Sequence, residues 1–322
     1  MEKYSKYDVS IIVPVYNSSN YIEKCLRSLF EQDYESIEYI FVNDCSTDNS
    51  LTIIENILLE YPNRKNNTTI INNINNIGSS QSREIGLNIA KGDYILFFDS
   101  DDWTETNMVS RLFKLVRKYN YDIIVSDYYI NSTKEEVYFS QFVSSNKSEN
   151  LENILLGNLK SYLPNKLIKR NLFIDNNIVF PKFNLLEDKL VMTKLFFYSD
   201  LVGYDNTAFL HYRQNESSLT HKINHKSIED LKMYSVEVDS FLKEKNIFNK
   251  YRRFFYAGIL SCVLGMLPNY KYEKYINYIC KEADSSQYLA LLDMSNYKKL
   301  VYKLTFYKLG FIVDFLKYFT KK

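Results

Sequence analysis

Three aspartates follow a short apolar stretch in the segment GDYILFFDSDDW, residues Gly92–Trp103. The run Tyr94–Phe98 predicts a strand that is buried on both faces. Asp99, Asp101 and Asp102 come directly after it, and carboxylates this close together repel one another. A divalent cation with oxygen ligands offsets such charge, and Mg²⁺ also binds substrate phosphate oxygens. A solvated turn is the alternative, because Asp and Ser are common turn formers.

Polar residues also end other predicted strands. In the first part of the chain, apolar segments alternate with amphipathic helical patterns, which predicts an open parallel sheet with right-handed crossovers. Ligands bind such sheets beyond the carboxyl ends of the strands, and Asn17, Asp44 and Asp99 all lie at those ends. The predicted strands are Ser10–Val15, Glu38–Val42, Thr69–Ile71 and Tyr94–Phe98.

A second acidic pair, Glu187 and Asp188, opens the predicted helix Lys189–Phe197. Carboxylates in the first turn of a helix interact favourably with its dipole, so helix capping alone accounts for them. The segment His211–His221, HYRQNESSLTH, follows and is predicted to be a basic turn with polar hydroxyls.

Composition limits the class of protein. The chain has 322 residues, of which 46% are hydrophobic and 25% charged, and this is ordinary for a soluble globular protein. A net charge of +1 argues against nucleic acid as a partner. The polar start predicts no signal peptide, and the apolar run Phe254–Leu267 is too short to span a bilayer. The cysteines fit no metal motif, which favours free thiols in a reducing cytosol; they are Cys25, Cys45, Cys262 and Cys280.

The pattern from Ser227 onward is helical, and the last segment, Tyr297–Lys322, differs from the rest. On a helical wheel its apolar and aromatic residues share one side and its lysines the other. A basic amphipathic helix with aromatic residues is typical of membrane-surface binding. Docking onto its own domain or onto a second copy of the chain remains an equal alternative.

Several ordered motifs together resemble the family 2 glycosyltransferases, which have the glycosyltransferase A fold. Departures from the family pattern are few: Cys45 stands where Gly is more usual, and Ser82 and Glu84 replace the commoner Ala and Asn beside Arg83. The first half of the chain matches closely, and the C-terminal part lies outside the resemblance. The matching segments are SIIVPVYN at Ser10–Asn17, VNDCSTDNS at Val42–Ser50, the stretch Asn76–Trp103, NKLIKR at Asn165–Arg170, LEDK at Leu186–Lys189 and YRQNESSLT at Tyr212–Thr220.

The resemblance implies a nucleotide site in the first motifs. Pro14, Tyr16 and Asn17 would line the base pocket together with Asp44, whose carboxylate would accept a base N–H. Arg83 would neutralise phosphate charge, and an ion pair with one of the aspartates is the alternative that the residues leave open.

The resemblance also implies a metal site and a catalytic base. Asp101 would bind Mn²⁺ or Mg²⁺ bridging the donor diphosphate, and Asp99 would contact the ribose or the metal. His211 occupies a position where some relatives place a metal-contacting His, although a satisfied structural His is the alternative. Asp188 would be the general base, and Glu187 would orient the acceptor.

The implied activity is inverting transfer of a hexose or N-acetylhexosamine from a UDP-sugar to a glycan acceptor. We expect a lipid-linked acceptor in capsular, exopolysaccharide, O-antigen or teichoic-acid type synthesis. The enzyme would be cytoplasmic and peripheral on the inner face of the cell membrane, and a homo-oligomer is left open. A nucleotidyltransferase and a non-catalytic nucleotide-sugar-binding scaffold are the alternatives.

The expected fold class is α/β, with a Rossmann-like, mostly parallel sheet followed by a helical C-terminal extension. We place the catalytic domain at residues 1–222, with a nucleotide-binding part at 1–103 and an acceptor-side part at 104–222. Residues 223–322 would form the helical region that ends in the basic amphipathic helix.

Overall fold

The computed structural model describes residues 6–214, 225–266, 272–283, 285–296, 299–300 and 302–303. The chain divides into two compact units. The first consists of residues 1–147 and 161–216, and the second of residues 148–160 and 217–322. The predicted amphipathic helix at Tyr297–Lys322 lies almost wholly outside the described residues, and the domain boundary at 222 stays a prediction.

The described part of the first unit contains a nine-stranded sheet with the order β3-β2-β1-β4-β8-β6-β9-β5, and β7 pairs with β6. In chain order the strands are β1 (Tyr7–Val15), β2 (Ile37–Asn43), β3 (Thr68–Asn72), β4 (Gly92–Phe97), β5 (Trp103–Thr104), β6 (Ile123–Asn131), β7 (Glu136–Phe139), β8 (Lys166–Lys169) and β9 (Val202–Arg213). Its helices are α1 (Ile22–Phe30), α2 (Ser50–Glu60), α3 (Pro62–Lys65), α4 (Ser79–Ile89), α5 (Met108–Tyr119), α7 (Arg170–Asp175) and α8 (Glu187–Tyr198).

The first four strands are parallel, as the alternating pattern predicts. β1 pairs with β2 and β4, and β2 pairs with β3. β2 is buried along its whole length, which explains its nearly continuous apolar sequence. Because these strands run the same way, Asn17, Asp44 and Asp99 follow strands whose carboxyl ends lie along one edge of the sheet.

The other half of the sheet is mixed. β8 is antiparallel to both β4 and β6, and β6 and β7 form an antiparallel hairpin. β9 runs parallel to β6 with two register shifts near Asp127.

The prediction of a turn beginning at His211 is wrong. His211 and Arg213 are the end of β9 and pair with Tyr129 and Asn131 of β6, and His211 also pairs with Trp103 of β5. Hydrogen bonding on both sides keeps this polar segment extended, and local polarity does not reveal such partners. Residues 215–221 of the same motif lie outside the described residues.

Helix α4 packs closely on the parallel strands. A Cβ atom added at Gly86 would come within 2.4 Å of Ile12 Cγ2, so only glycine allows this approach. A Cβ at Gly92 would meet the Ser10 backbone nitrogen at 2.4 Å, which fixes the spacing of β4 and β1 in the same way.

The second unit is helical. Its described helices are α6 (Lys147–Leu156, which belongs to this unit from Ser148 onward), α9 (His225–Glu244), α10 (Phe248–Met266) and α11 (Tyr272–Cys280), followed by 3₁₀ turns at Lys281–Ala283 and Ser286–Leu291. The helix predicted from Ser227 onward is present as α9, and its apolar residues Leu231, Tyr234, Val238 and Phe241 are buried. Within the described part of the chain, no helix has the length and hydropathy that a membrane span requires.

Candidate active site

One arginine joins the two acidic motifs of the sequence. Arg83 donates from Nη2 to Asp99 Oδ1 at 2.7 Å. Its Nη1 donates to Glu187 Oε1 at 3.1 Å and to Asp188 Oδ1 at 3.3 Å. The DSDD turn and the LEDK segment, far apart in sequence, therefore meet at one buried guanidinium.

Local structure places each of these groups. Asp99 follows the buried strand β4, and Arg83 lies on α4, one turn after its start at Ser79. Glu187 and Asp188 form the first turn of α8, after Leu186 in a left-handed conformation with φ 64°. All of the elements that carry the cluster therefore belong to the first unit.

Glu187 is buried and Asp99 and Asp188 are half-buried, and this removal from water dominates the electrostatics of Glu187 and Asp188. Removal from water raises the pKa of both Glu187 and Asp188, while the Arg83 charge acts in the opposite direction. The Asp188 charge further raises the pKa of Glu187, and the Asp99 charge further raises that of Asp188. Such perturbed carboxyl groups are typical of acid–base sites, although structural ion-pair networks show them too.

The DSDD turn gathers three carboxylates within four residues. Asp102 is buried and accepts a hydrogen bond at Oδ1 from the Arg213 backbone N–H at 2.8 Å. Its Oδ2 is one of two buried side-chain atoms in the described residues with no hydrogen-bond partner; the other is Arg83 Nε. Burial first, and then the charges of Asp99 and Asp101, raise the pKa of Asp102 well above its usual range.

A hard divalent cation fits this turn, because it prefers carboxylate oxygens and would offset their charge. Among the described residues, no three His, Cys, Asp or Glu side chains are gathered into a ready metal site. Asp99 and Asp101 would therefore hold a cation only together with oxygens from a ligand or from water. This sharing is usual for Mg²⁺ bound with substrate phosphates.

His211 lies between aromatic rings and is bonded at both nitrogens. Its ring stacks between Trp103, with centroids 5.1 Å apart, and Tyr129, with centroids 5.0 Å apart. Its Nε2 lies 2.9 Å from Glu105 Oε1, and its Nδ1 lies 3.0 Å from Glu136 Oε2. To bind a metal ion, His211 would have to give up one of these contacts, and its role as a ligand stays a prediction.

The residues predicted for the base pocket lie together where β1 ends. Pro14 is buried within β1, whereas the Tyr16 side chain is 49% exposed. Asn17 has φ 48° and accepts at Oδ1 from the Thr47 backbone N–H at 2.8 Å. This contact joins the loops that follow β1 and β2, so an exposed aromatic ring stands beside a fixed polar loop.

Asp44 uses its carboxylate within the protein. Oδ1 accepts from Asn73 Nδ2 and from the Ile77 backbone N–H, both at 2.9 Å, and Oδ2 accepts from the Gly78 backbone N–H at 2.7 Å. Asp44 thereby shapes the loop that leads into α4 and Arg83. Asp44 is only 2% exposed. A contact with a nucleotide base would use the hydrogen-bond acceptor capacity that remains on this carboxylate. That contact stays a prediction.

Two residues of the site were not singled out from the sequence. Arg213 donates from Nε to the Asp101 carbonyl at 3.0 Å, and its guanidinium lies 4.8 Å from the centre of the Trp103 ring. Lys166 is fully buried in β8 and interacts electrostatically with Asp188. The sequence signal for Lys166 was a lysine at the start of the apolar strand KLIK. Lysine is rarely buried without a partner, so a lysine in a core strand indicates a polar partner inside the protein.

Comparisons with known proteins identify the family of this chain. The family model for glycosyl transferase family 2 matches residues 10–192. The glycosyltransferase GlyG of Streptococcus pneumoniae is 26% identical over 310 residues, which cover 92% of this chain and 94% of GlyG.

Two solved structures show the fold. S. aureus TarS 1–349 in complex with UDP has a TM-score of 0.67 at 22% identity, covering 94% of this chain and 89% of that one. The mannosyltransferase PcManGT from Pyrobaculum calidifontis, in complex with GDP-Man and Mn²⁺, has a TM-score of 0.55 at 13% identity, covering 96% and 91%. The predicted glycosyltransferase A fold class is confirmed. Because the family model matches more than half of the 322 residues, this chain belongs to glycosyl transferase family 2.

Proposed function

We propose that this chain performs inverting transfer of a hexose or N-acetylhexosamine from a UDP-sugar to a hydroxyl group of a glycan. The observation that carries the proposal is the meeting of Asp99, Glu187 and Asp188 at Arg83. A donor-side carboxylate and a candidate base are bonded to the same guanidinium, and this supports a site in which donor and acceptor meet.

Asp188 is the general base in this proposal. Its carboxylate removes the proton of the acceptor hydroxyl as the oxygen attacks the anomeric carbon of the donor. Glu187 orients the acceptor, and Arg83 holds both carboxylates in place. One displacement with one base inverts the anomeric centre, so the chain needs no nucleophile of its own.

Asp101 and Asp99 would hold Mn²⁺ or Mg²⁺ in this reaction. When bound, the cation supplies Lewis-acid stabilisation of charge on the leaving diphosphate. The gathering of three carboxylates within four residues of the DSDD turn supports this assignment. The presence of Mn²⁺ in the PcManGT complex supports it independently.

The donor nucleotide would bind where β1 and β2 end. Tyr16 would stack on the base, with Pro14, Asn17 and Asp44 completing the pocket. UDP is favoured over other nucleotides by the TarS complexes with UDP-GlcNAc and with UDP. The complex of PcManGT with GDP-Man makes a guanine nucleotide the alternative donor to test.

The acceptor we propose is a lipid-linked glycan of a bacterial surface polysaccharide. TarS acts on poly(ribitol-phosphate), by its name, and so supports acceptors of the cell envelope. An acceptor on a lipid would place the enzyme in the cytoplasm at the inner face of the membrane.

Calorimetry with purified protein tests the donor and metal sites together. We expect UDP to bind the wild-type chain in the presence of Mn²⁺ and to bind about tenfold more weakly or worse after chelation. Asp101→Ala should lose this metal-dependent part of the affinity, whereas Asp200→Ala, at a side chain that is 90% exposed, should keep it. Metal-independent UDP binding by the wild type, or tighter binding of GDP than of UDP, contradicts the proposal.

A further inference from the structure

The segment 178–186 joins helix α7 to helix α8 and ends directly before the acidic pair that opens α8. The structure describes the whole of this segment, which forms neither helix nor strand. Three of its apolar side chains are buried: Ile178, Phe180 and Phe183. The Phe180 ring packs edge-on against Phe97 of β4, with centroids 5.1 Å apart. The core therefore holds one side of the segment, but its backbone polar groups need partners outside the regular helices and strands.

Three side chains of helix α4 supply such partners, and we call Ser80, Gln81 and Glu84 the α4 clamp. Glu84 Oε2 accepts from the Phe180 backbone N–H at 2.8 Å. Gln81 Nε2 donates to the Phe180 carbonyl at 3.1 Å and to the Pro181 carbonyl at 2.9 Å. Ser80 Oγ donates to the same Pro181 carbonyl at 2.5 Å. Because positions three and four apart are neighbours on a helix, these contacts form one continuous attachment.

A second attachment lies at the start of α4. Asn184 Oδ1 accepts from the Ser80 backbone N–H at 3.3 Å. Gly78, which precedes the helix, has φ 90°, and a Cβ atom there would lie 2.5 Å from Asn184 Oδ1. Glycine at this position therefore leaves the space that the Asn184 side chain occupies. The segment is thus bonded to α4 both near its middle and two residues before its end.

The last residue of the segment has a conformation that its surroundings must hold. Leu186 has φ 64° and ψ 18°, in the left-handed region that residues with a Cβ atom rarely adopt. Such conformations persist where the surrounding structure fixes them, and they are common at active sites. Leu186 sets the direction in which α8 begins, and so the place of Asp188. Arg83, on the same helix as the clamp, donates to Asp188 Oδ1 at 3.3 Å, so α4 binds both the candidate base and the segment before it.

We propose that the three residues of the α4 clamp are positioning residues for the transfer reaction, a role that rests on the proposed function. They hold the segment 178–186 against α4, so that Leu186 keeps its left-handed conformation and Asp188 stays beside Arg83. The clamp acts on Asp188 through the backbone of the segment. Its loss therefore displaces the base and leaves the donor nucleotide site, at the ends of β1 and β2, in place.

The division between kcat and KM separates this role from a purely structural one. Gln81→Ala removes two hydrogen bonds to the segment, and the rate measured is UDP release from UDP-GlcNAc with a lipid-linked glycan extract as acceptor. We expect kcat to fall by about 10- to 100-fold, while the donor KM and the Kd for UDP change by less than about twofold. Val179→Ala, at an exposed side chain of the same segment, is the matched control and should keep the wild-type kcat. A wild-type kcat in Gln81→Ala, or a loss of kcat only in step with UDP affinity, overturns the proposal.

Hydrogen exchange of the Phe180 amide, followed by NMR in the folded chain, tests the clamp without catalysis. Glu84→Ala removes the acceptor of this N–H, whereas Glu84→Gln keeps an amide oxygen that can replace it. We expect exchange about tenfold faster in Glu84→Ala and close to wild type in Glu84→Gln, with kcat lost in the first and retained in the second.

The two readouts separate the possible failures. Unchanged exchange in Glu84→Ala shows that the clamp does not hold the segment, and faster exchange with a wild-type kcat shows that the segment does not position the base; either result overturns the proposal. A wild-type chain that protects the Phe180 amide but releases no UDP with any acceptor contradicts the proposed function, and the positioning role with it.

Discussion

At the scale of single residues, burial and the Arg83 charge act in opposite directions on the pKa of Glu187 and Asp188. One guanidinium, that of Arg83, donates to three carboxylates, so the cluster keeps an excess of negative charge. Because the group is also removed from water, the protonated forms of Glu187 and Asp188 are favoured more than in an exposed acid. A base with a raised pKa is matched to work near neutral pH.

This balance predicts the acid limb of the reaction. Burial raises the pKa of Asp188 to about 6, and a protonated carboxyl group cannot accept the proton of the acceptor. We therefore expect kcat/KM to fall as the pH is lowered through about 6, and not near 4 as for an ordinary aspartate. Initial rates of UDP release between pH 4.5 and 8.5 check this expectation. A limb near pH 4 would mean that Asp188 is either solvated or not the base.

Motif reasoning located the groups that form this cluster but not all of their partners. Asp99, Arg83 and Asp188 belong to segments whose residue types and order are distinctive, so the sequence could point to them. Lys166 pairs with Val125 of β6 and Arg213 pairs with Asn131 of the same strand, and no local pattern shows which strand will lie beside them. The same limit applies to the turn predicted at His211, where pairing with β5 and β6 decides the conformation.

At the scale of elements, α4 is the helix that must be placed correctly. It carries Arg83, and it approaches β1 through Gly86, where a Cβ atom would lie 2.4 Å from Ile12 Cγ2. Ile12 is fully buried in the centre of the sheet, so it has little room to move.

Gly86→Ala is therefore expected to destabilise the fold by about 1–3 kcal/mol, because the added methyl group overpacks the contact with Ile12. Urea unfolding followed by circular dichroism measures the change. Asn88→Ala, on the exposed face of the same helix, is the control and should stay within about 0.5 kcal/mol of the wild type. Equal stability of Gly86→Ala and wild type would show that α4 does not pack this closely on β1.

Hydrophobic periodicity found the parallel half of the sheet and missed part of the mixed half. The segments that became β1 to β4 are apolar and alternate with helices, which is a strong local signal. β8 is only four residues long, and β9 carries polar residues and two irregular pairings with β6. Their positions depend on neighbouring strands, so sequence alone could not assign them.

At the scale of the whole molecule, the chain has a sheet unit that carries the candidate site and a helical unit. The segment 148–160 belongs to the helical unit although it lies in sequence between strands of the sheet unit. A single predicted boundary at 222 leaves residues 148–160 with the sheet, because their place in the helical unit depends on contacts with residues much later in the chain. Sequence composition does not reveal those contacts.

The end of the chain supports one prediction from its sequence. Deleting residues 297–322 removes a basic segment with aromatic residues, which favours binding to anionic membranes. We expect the full chain to sediment with phosphatidylglycerol-containing vesicles and the shortened chain to remain in the supernatant. Vesicles of phosphatidylcholine alone are the control and should bind neither protein. Undiminished binding of the shortened chain would contradict a membrane role for this segment.

The central claim is that Asp188 removes the acceptor proton at a site shared with the donor. Asp188→Asn tests it most directly, with transfer and UDP affinity measured on the same preparation and Asp200→Asn as the exposed control. We expect transfer to fall by about 10²–10⁴-fold while the Kd for UDP stays within about twofold. Near-normal turnover in Asp188→Asn would contradict the account, because another group would then have to serve as the base.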